Sequence, residues 1–230
     1  MSNILIIGGS SGIGLQLARQ LGESGHTVYA TYHTHTQENE SNIHFHPYNV
    51  LDEAADLSFL PASLDGLVYC PGSIVLKPFH RLKTEEFAAD YQLQVLGAVS
   101  VIQKALPALK ASANASVVLF STLAVQTGLN FHSLVAASKG AIEGMSRALA
   151  AELAPGIRVN CIAPSLTDTP LAGNLMNTED KRQANAQRHP LKRTGTAADI
   201  AHIAEFLLSE RASWITGQIM HIDGGMSALR

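Results

Sequence analysis

Residues 3–20 read NILIIGGSSGIGLQLARQ. The run Asn3 to Ile7 is short and unbroken in its apolar character, which predicts a strand buried on both faces of a parallel sheet. Gly8, Gly12 and Gly14 follow as a turn, and Leu15, Leu17, Ala18 and Leu21 then recur at helical spacing. A strand, a glycine turn and a helix in that order aim unpaired helix N–H groups and the positive end of a dipole at one point, which suits a phosphate. The missing side chains let a pyrophosphate come close and let the helix pack tightly on the sheet. The spacing here is G-x-x-x-G-x-G, so the physics of the G-x-G-x-x-G fingerprint applies without its pattern.

At 230 residues the chain is long enough for one domain with a full core and short for two. Sixteen basic against nineteen acidic residues, with no basic cluster, argue against nucleic acid as the partner. No apolar run reaches the length that would span a bilayer. No charged stretch with a cleavage site precedes the first strand, so a secretory signal is not expected. Cys70 and Cys161 both lie in apolar, strand-like runs, where thiols serve as small core residues rather than as a disulfide framework or metal spacing. These features together predict a reduced, cytoplasmic, enzyme-sized domain.

Further along, strands are expected at 26–32, 43–50, 64–70, 116–120, 157–163 and 218–222. Helices are expected at 52–60, 84–110, 136–153 and 199–208, with Thr84-Glu85-Glu86 opening the longest and Pro107 near its exit. Regular alternation of strand and helix predicts an α/β fold, a doubly wound parallel sheet in a single domain. The stretch 167–195 is less regular, polar and too long for a simple connection, and is read as a substrate lid.

Four separate segments, GGSSGIG at 8–14, DGLVYCPG at 65–72, ASKGAIEGMSRALAAELAPGIRVNCIAPS at 137–165 and ITGQIMHIDGG at 215–225, resemble the short-chain dehydrogenase/reductases over essentially the whole chain. The resemblance implies a Rossmann sheet of seven strands with a nicotinamide dinucleotide across the carboxyl ends, and a homotetramer or homodimer. It implies that Gly8, Ser10, Ser11, Gly12, Ile13 and Gly14 line the pyrophosphate and ribose, and that Asn49 and Val50 flank the adenine. Cys70, Pro71 and Gly72 would run under the nicotinamide ribose. Pro164, Ser165, Leu166, Thr167 and Thr169 would hold the carboxamide and phosphate, Ser165 standing where the family has glycine. Lys139 matches the family lysine that bonds the nicotinamide ribose, and Asp223 matches its closing turn.

The chemical half of the pattern departs from the family. The usual tyrosine, four residues before the lysine, is Val135; the usual serine falls at Thr122, beside Ser121; the helix asparagine falls at Gln94; and the strand-four asparagine is Tyr69. Thr122 can still polarise a carbonyl, and Gln94 can still accept from water or lysine. Enoyl-acyl carrier protein reductases carry their tyrosine seven residues before the lysine, which here is His132, and DGLVYCPG and GQIMHIDGG are similar to that branch. His132 is therefore the candidate replacement acid, opposed by a nearby Lys139 cation and weighed against an ordinary loop histidine. Tyr69 and Tyr91 are other phenols within the fold's reach, each better explained by packing.

No acid ends strand two, where Tyr32 and His33 stand, so a 2′-phosphate meets no repulsion. NADP(H) is preferred over NAD(H) on that ground, with His33 and His35 as phosphate neighbours and a solvated turn as the alternative. His44 and His46 alternate on a strand without a third ligand, so no metal is expected. The expected function is hydride transfer between this carrier and a small carbonyl/alcohol or enoyl substrate. The alternative is a dinucleotide-binding sensor or partner subunit without turnover, which Val135 favours.

Overall fold

The computed structural model describes residues 1–229. Seven strands, β1 (Asn3–Ile7), β2 (Thr27–Tyr32), β3 (Ile43–Pro47), β4 (Gly66–Tyr69), β5 (Ala115–Phe120), β6 (Ile157–Pro164) and β9 (Ile219–Ile222), form one sheet, and β7 (Thr167–Asp168) and β8 (Gly195–Thr196) pair separately. The sheet order is β3-β2-β1-β4-β5-β6-β9, with every pairing parallel. Successive side chains of each strand go to opposite faces. Thus Ile4 and Ile6 of β1 join the core under α1 (Gly12–Glu23) and α7 (Ala197–Leu208). Leu5 and Ile7 join the core under α3 (Gly97–Lys110) and α5 (Ser133–Leu153). Both faces are dry, as an all-parallel sheet requires.

The chain leaves β1 in one direction to β2 and returns on the other side to β4, so a crevice opens beyond the carboxyl ends of β1 and β4. Helix α7 is fixed at both ends. Thr196 and Asp199 make a reciprocal capping box at its start. The buried Arg158 guanidinium of β6 donates to the carbonyls of Leu207, Ser209 and Ala212 at its end.

The expected helix at 84–110 is continuous but carries a π turn at Gln92–Leu96 between α2 (Thr84–Tyr91) and α3. A π turn disturbs the regular ladder and commonly marks a site. Tyr69, at the carboxyl end of β4, donates its hydroxyl to the Leu93 carbonyl at 2.6 Å. A methyl on Gly97 would collide with that hydroxyl, so glycine is required there. The phenol is therefore a structural partner of the helix, and burial raises its pKa well above the usual range.

Four expectations need correction. Residues 52–60 form turns rather than a helix, because Asp52 and Asp56 accept from the backbone two residues on (Ala54, 2.9 Å; Ser58, 3.0 Å), which competes with helical bonding. Strand three ends at Pro47 instead of residue 50, and strand four spans 66–69 rather than 64–70. The stretch 167–195 is not irregular: it holds β7, a 3₁₀ turn (Pro170–Leu175), α6 (Glu179–Arg188) and β8. Thr178 caps α6 through the Lys181 N–H, a local signal that the polar composition masked.

Tyr69→Phe leaves the Leu93 carbonyl without its partner and is expected to cost about 1–3 kcal/mol in urea unfolding. An unchanged midpoint would mean that the π turn does not depend on this bond.

Candidate functional site

Two adjoining cavities occupy the crevice. The outer groove, about 340 Å³, is lined by Gly8, Ser10, Ser11, Gly12, Ile13 and Gly14 on one side and by His33, Asn49 and Val50 on the other, with Pro71 between. The inner cavity, about 280 Å³, is lined by Gln94, Ser121, Thr122, His132, Val135, Lys139 and Pro164, Ser165, Leu166 and Thr167. Ile13, Cys70, Gly72 and Thr169 belong to both, so the two form one continuous space. Every residue selected from the sequence for the carrier or the chemistry lies on one of these walls.

The groove's phosphate end is built by backbone. Gly8 and Gly12 sit at φ 75° and 52°, and any side chain on Gly14 would run into the Gly8 carbonyl. Ser11 precedes α1 without a side-chain capping bond, and no acidic residue occupies the first turn. The first N–H groups of α1 are thus left for an outside acceptor. Among the described residues no carboxylate lines the groove; His33, Thr34 and His35 stand at the end of β2. This donor set fits a dinucleotide diphosphate.

Lys139 is only 8% exposed, yet it lines the inner cavity. Desolvation pushes its ammonium down to about 8, opposed by Cys161, Asp90 and Cys70. Burial raises both thiols to about 12, so they are neutral near pH 7 and the standing negative charge among the three is that of Asp90. Thr122 and Ser121 differ in availability. Ser121 Oγ donates to Glu143 Oε1 at 2.7 Å, whereas Thr122 Oγ1 accepts only from the Ala124 N–H at 3.4 Å and keeps its proton to offer. His132 is the residue preceding α5, and its Nδ1 donates to the Asn130 carbonyl at 2.7 Å, leaving Nε2 as the nitrogen able to exchange a proton. Val135 lines the same cavity with methyl groups only.

Sequence reading missed three participants. Asp90, 5% exposed, receives Ser138 Oγ at 2.6 Å, Gln94 Nε2 at 2.8 Å on both oxygens, and Ser73 Oγ. Its position one helical turn before Gln94 was the available signal. Glu143, one turn after Lys139, holds Ser121 and lies 3.6 Å from Arg147. His189 joins the end of α6 to the inner cavity: Nδ1 donates to the Asn185 carbonyl (2.8 Å) and Nε2 accepts from Ser165 Oγ (2.7 Å). Ser165 in place of glycine was the clue to that bond.

Residues 8–227 match the family model described as Enoyl-(Acyl carrier protein) reductase. A tropinone reductase homolog of Arabidopsis thaliana is 31% identical over 98% of this chain and 92% of its own length. The chain belongs to the short-chain dehydrogenase/reductase family. Among solved structures of that family, a short chain dehydrogenase family protein from Francisella tularensis is 26% identical, with a TM-score of 0.89 over 99% of each chain. ElxO with NADP bound is also 26% identical, with a TM-score of 0.89 over 98% of this chain and 99% of that one. The family binds NAD(P).

Because Lys139 is at about 8 in the native protein and near 10.5 when unfolded, the unfolded chain binds the proton more tightly. Stability should therefore be lowered in full below pH 8 and regained as pH rises to 10.5. Relative to Lys139→Met, the native protein is expected to gain up to about 3 kcal/mol across that window in chemical denaturation. A pH-independent difference would contradict the desolvated lysine.

Proposed function

We propose that this protein is an NAD(P)-dependent oxidoreductase that exchanges hydride between NADP(H), in preference to NAD(H), and a small carbonyl/alcohol or enoyl substrate. The observation that carries the reading is the continuity of the open α1 N-terminus with the pocket holding Lys139 and Thr122. The first turn of α1 and Ser10 take the diphosphate; Asn49 and Val50 take the adenine; Cys70, Pro71, Gly72 and Lys139 take the second ribose. The segment from Pro164 to Thr169 takes the carboxamide. When bound, the nicotinamide supplies or accepts the hydride.

The protein's part is then to orient the substrate and stabilise charge on its oxygen. Thr122 donates its hydroxyl proton in a hydrogen bond to that oxygen, and the Lys139 cation offsets the developing charge. A water held by Gln94, or His132 through Nε2, delivers the proton. Apolar walls contributed by Ile74, Leu123, Val135 and Leu171 suit a substrate with a hydrocarbon body. The stretch 167–195 acts as the lid, with the His189–Ser165 bond tying it to the cavity.

The preference for the 2′-phosphate rests on the absence of a carboxylate from the groove and on His33 and His35 beside it. ElxO, the relative with NADP bound, is consistent with it. A homotetramer or homodimer in the cytoplasm is the expected form. Val135 supports one other reading, a dinucleotide-binding subunit without turnover.

NADPH is expected to quench or enhance protein fluorescence at lower concentration than NADH, and to be oxidised in the presence of ketones or enoyl thioesters. Thr122→Val should then lower kcat/KM about 10²–10³-fold. Binding without oxidation across both substrate classes selects the second reading, and absence of binding by either dinucleotide contradicts both. Should turnover be slow, Val135→Tyr is expected to raise ketone reduction.

A further inference from the structure

Asp90 is an acid placed inside the protein on α2, where an amphipathic helix would normally carry an apolar side chain. Three side chains converge on it from three parts of the chain: Ser73 after β4, Gln94 in the π turn, and Ser138 on α5. A carboxylate can only accept, so the Gln94 amide must turn its NH₂ toward Asp90. Its carbonyl oxygen is then committed to the opposite direction. That oxygen is buried and has no partner among the described residues. It lies 3.4 Å from the point where a Gly72 side chain would begin, and Lys139 Nζ lies 3.7 Å from the same point. A buried amide carbonyl without a partner is costly, and one that shares the space in front of Gly72 with Lys139 Nζ, without accepting from it, points to a role in the site.

The charges around Lys139 can be taken element by element. From β4's exit comes the Cys70 thiol and from β6 the Cys161 thiol, both held neutral near pH 7 by burial. From just before α5 comes His132, which lines the same cavity, and from α5 itself Glu143, whose carboxyl receives Ser121 Oγ and faces Arg147. From the end of α6 come Arg188 and His189, which line the same cavity. From α2 comes Asp90, joined to the residue next to Lys139 through the Ser138 hydroxyl.

We propose that Asp90 is the positioning residue of this site: it turns the Gln94 carbonyl toward Lys139 and supplies the buried negative charge that keeps Lys139 a cation in a pocket where Val135 has replaced the phenol. The inference rests on Lys139 being the cation of the carrier pocket, and it adds an acid to the set that pocket uses. With no phenol to share its charge, Lys139 would otherwise lose its proton to desolvation. Asp90 acts through Gln94 and Lys139 and touches neither substrate nor carrier.

The test reads the lysine directly in the free protein. Trace acetylation with acetic anhydride across pH, quantified at Lys139 by peptide mass spectrometry, is expected to give a midpoint near 8 in the unaltered protein. Asp90→Asn keeps the shape and removes the charge; the midpoint should fall by about one to three pH units, and Asp90→Glu should restore part of it. A folded Asp90→Asn protein with an unmoved midpoint, changed only in melting temperature, overturns the proposal. If Asp90→Asn does not fold, Gln94→Leu retains the carboxylate and deletes the acceptor it orients. A smaller fall is then expected, and no fall overturns the proposal. Labelling needs neither turnover nor carrier, so a protein that binds no dinucleotide would sink the functional reading and leave this measurement intact.

Discussion

The approach of α1 to the carboxyl end of β1 is the constraint on which the site depends. Gly14 packs against the Gly8 carbonyl with no room for a methyl group between them. That contact sets where the first turn of α1 begins, and hence where its unbonded N–H groups point. Widening it by one side chain would lift the helix off the sheet and turn those donors away from the crevice. The switch in strand order between β2 and β4 then leaves the space in front of the donors open. The fold and the open N-terminus of α1 are thus consequences of one close contact.

Deeper in the crevice the electrostatics are of another kind. Backbone dipoles serve the outer groove, whereas the inner cavity relies on buried ionisable side chains, Lys139 and Asp90, supported by hydroxyl and amide donors. Buried charges persist only when they are paired and hydrogen-bonded. Here the pairing is spread over α2, the π turn and α5, so the helices and the site stabilise one another. Tyr69 contributes to the same arrangement from β4, because its hydroxyl holds the π turn in which Gln94 sits. The phenol that packing explained better is thus part of the scaffold beneath the site.

The parallel sheet was legible because each central strand is a short apolar run closed by glycine, proline or a polar turn, and the glycine turn was legible because backbone geometry restricts which residues can occupy it. The groove-lining positions beyond that turn came from the resemblance of four segments to the short-chain dehydrogenase/reductases. Residues 52–60 were misjudged since Asp52 and Asp56 satisfy local backbone N–H groups in turns, a choice that helical periodicity does not register. Order within 167–195 was hidden by polarity, although Thr178 carries a capping signal. Asp90 and His189 were missed for a different reason. Asp90 had a local sign in Gln94 one turn on, but its bond to Ser138, like that of His189 to Ser165, joins residues far apart in the chain, and pairing at that range is not written in local pattern.

A crystal structure grown with NADPH tests the central claim most directly, because it reads phosphate end and nicotinamide end at once. The account predicts diphosphate density against the N–H groups of Gly12 and Ile13, with a hydroxyl of the second ribose about 3 Å from Lys139 Nζ. Diphosphate bound away from the turn formed by Gly8, Gly12 and Gly14, or a nicotinamide ribose out of reach of Lys139, would contradict it.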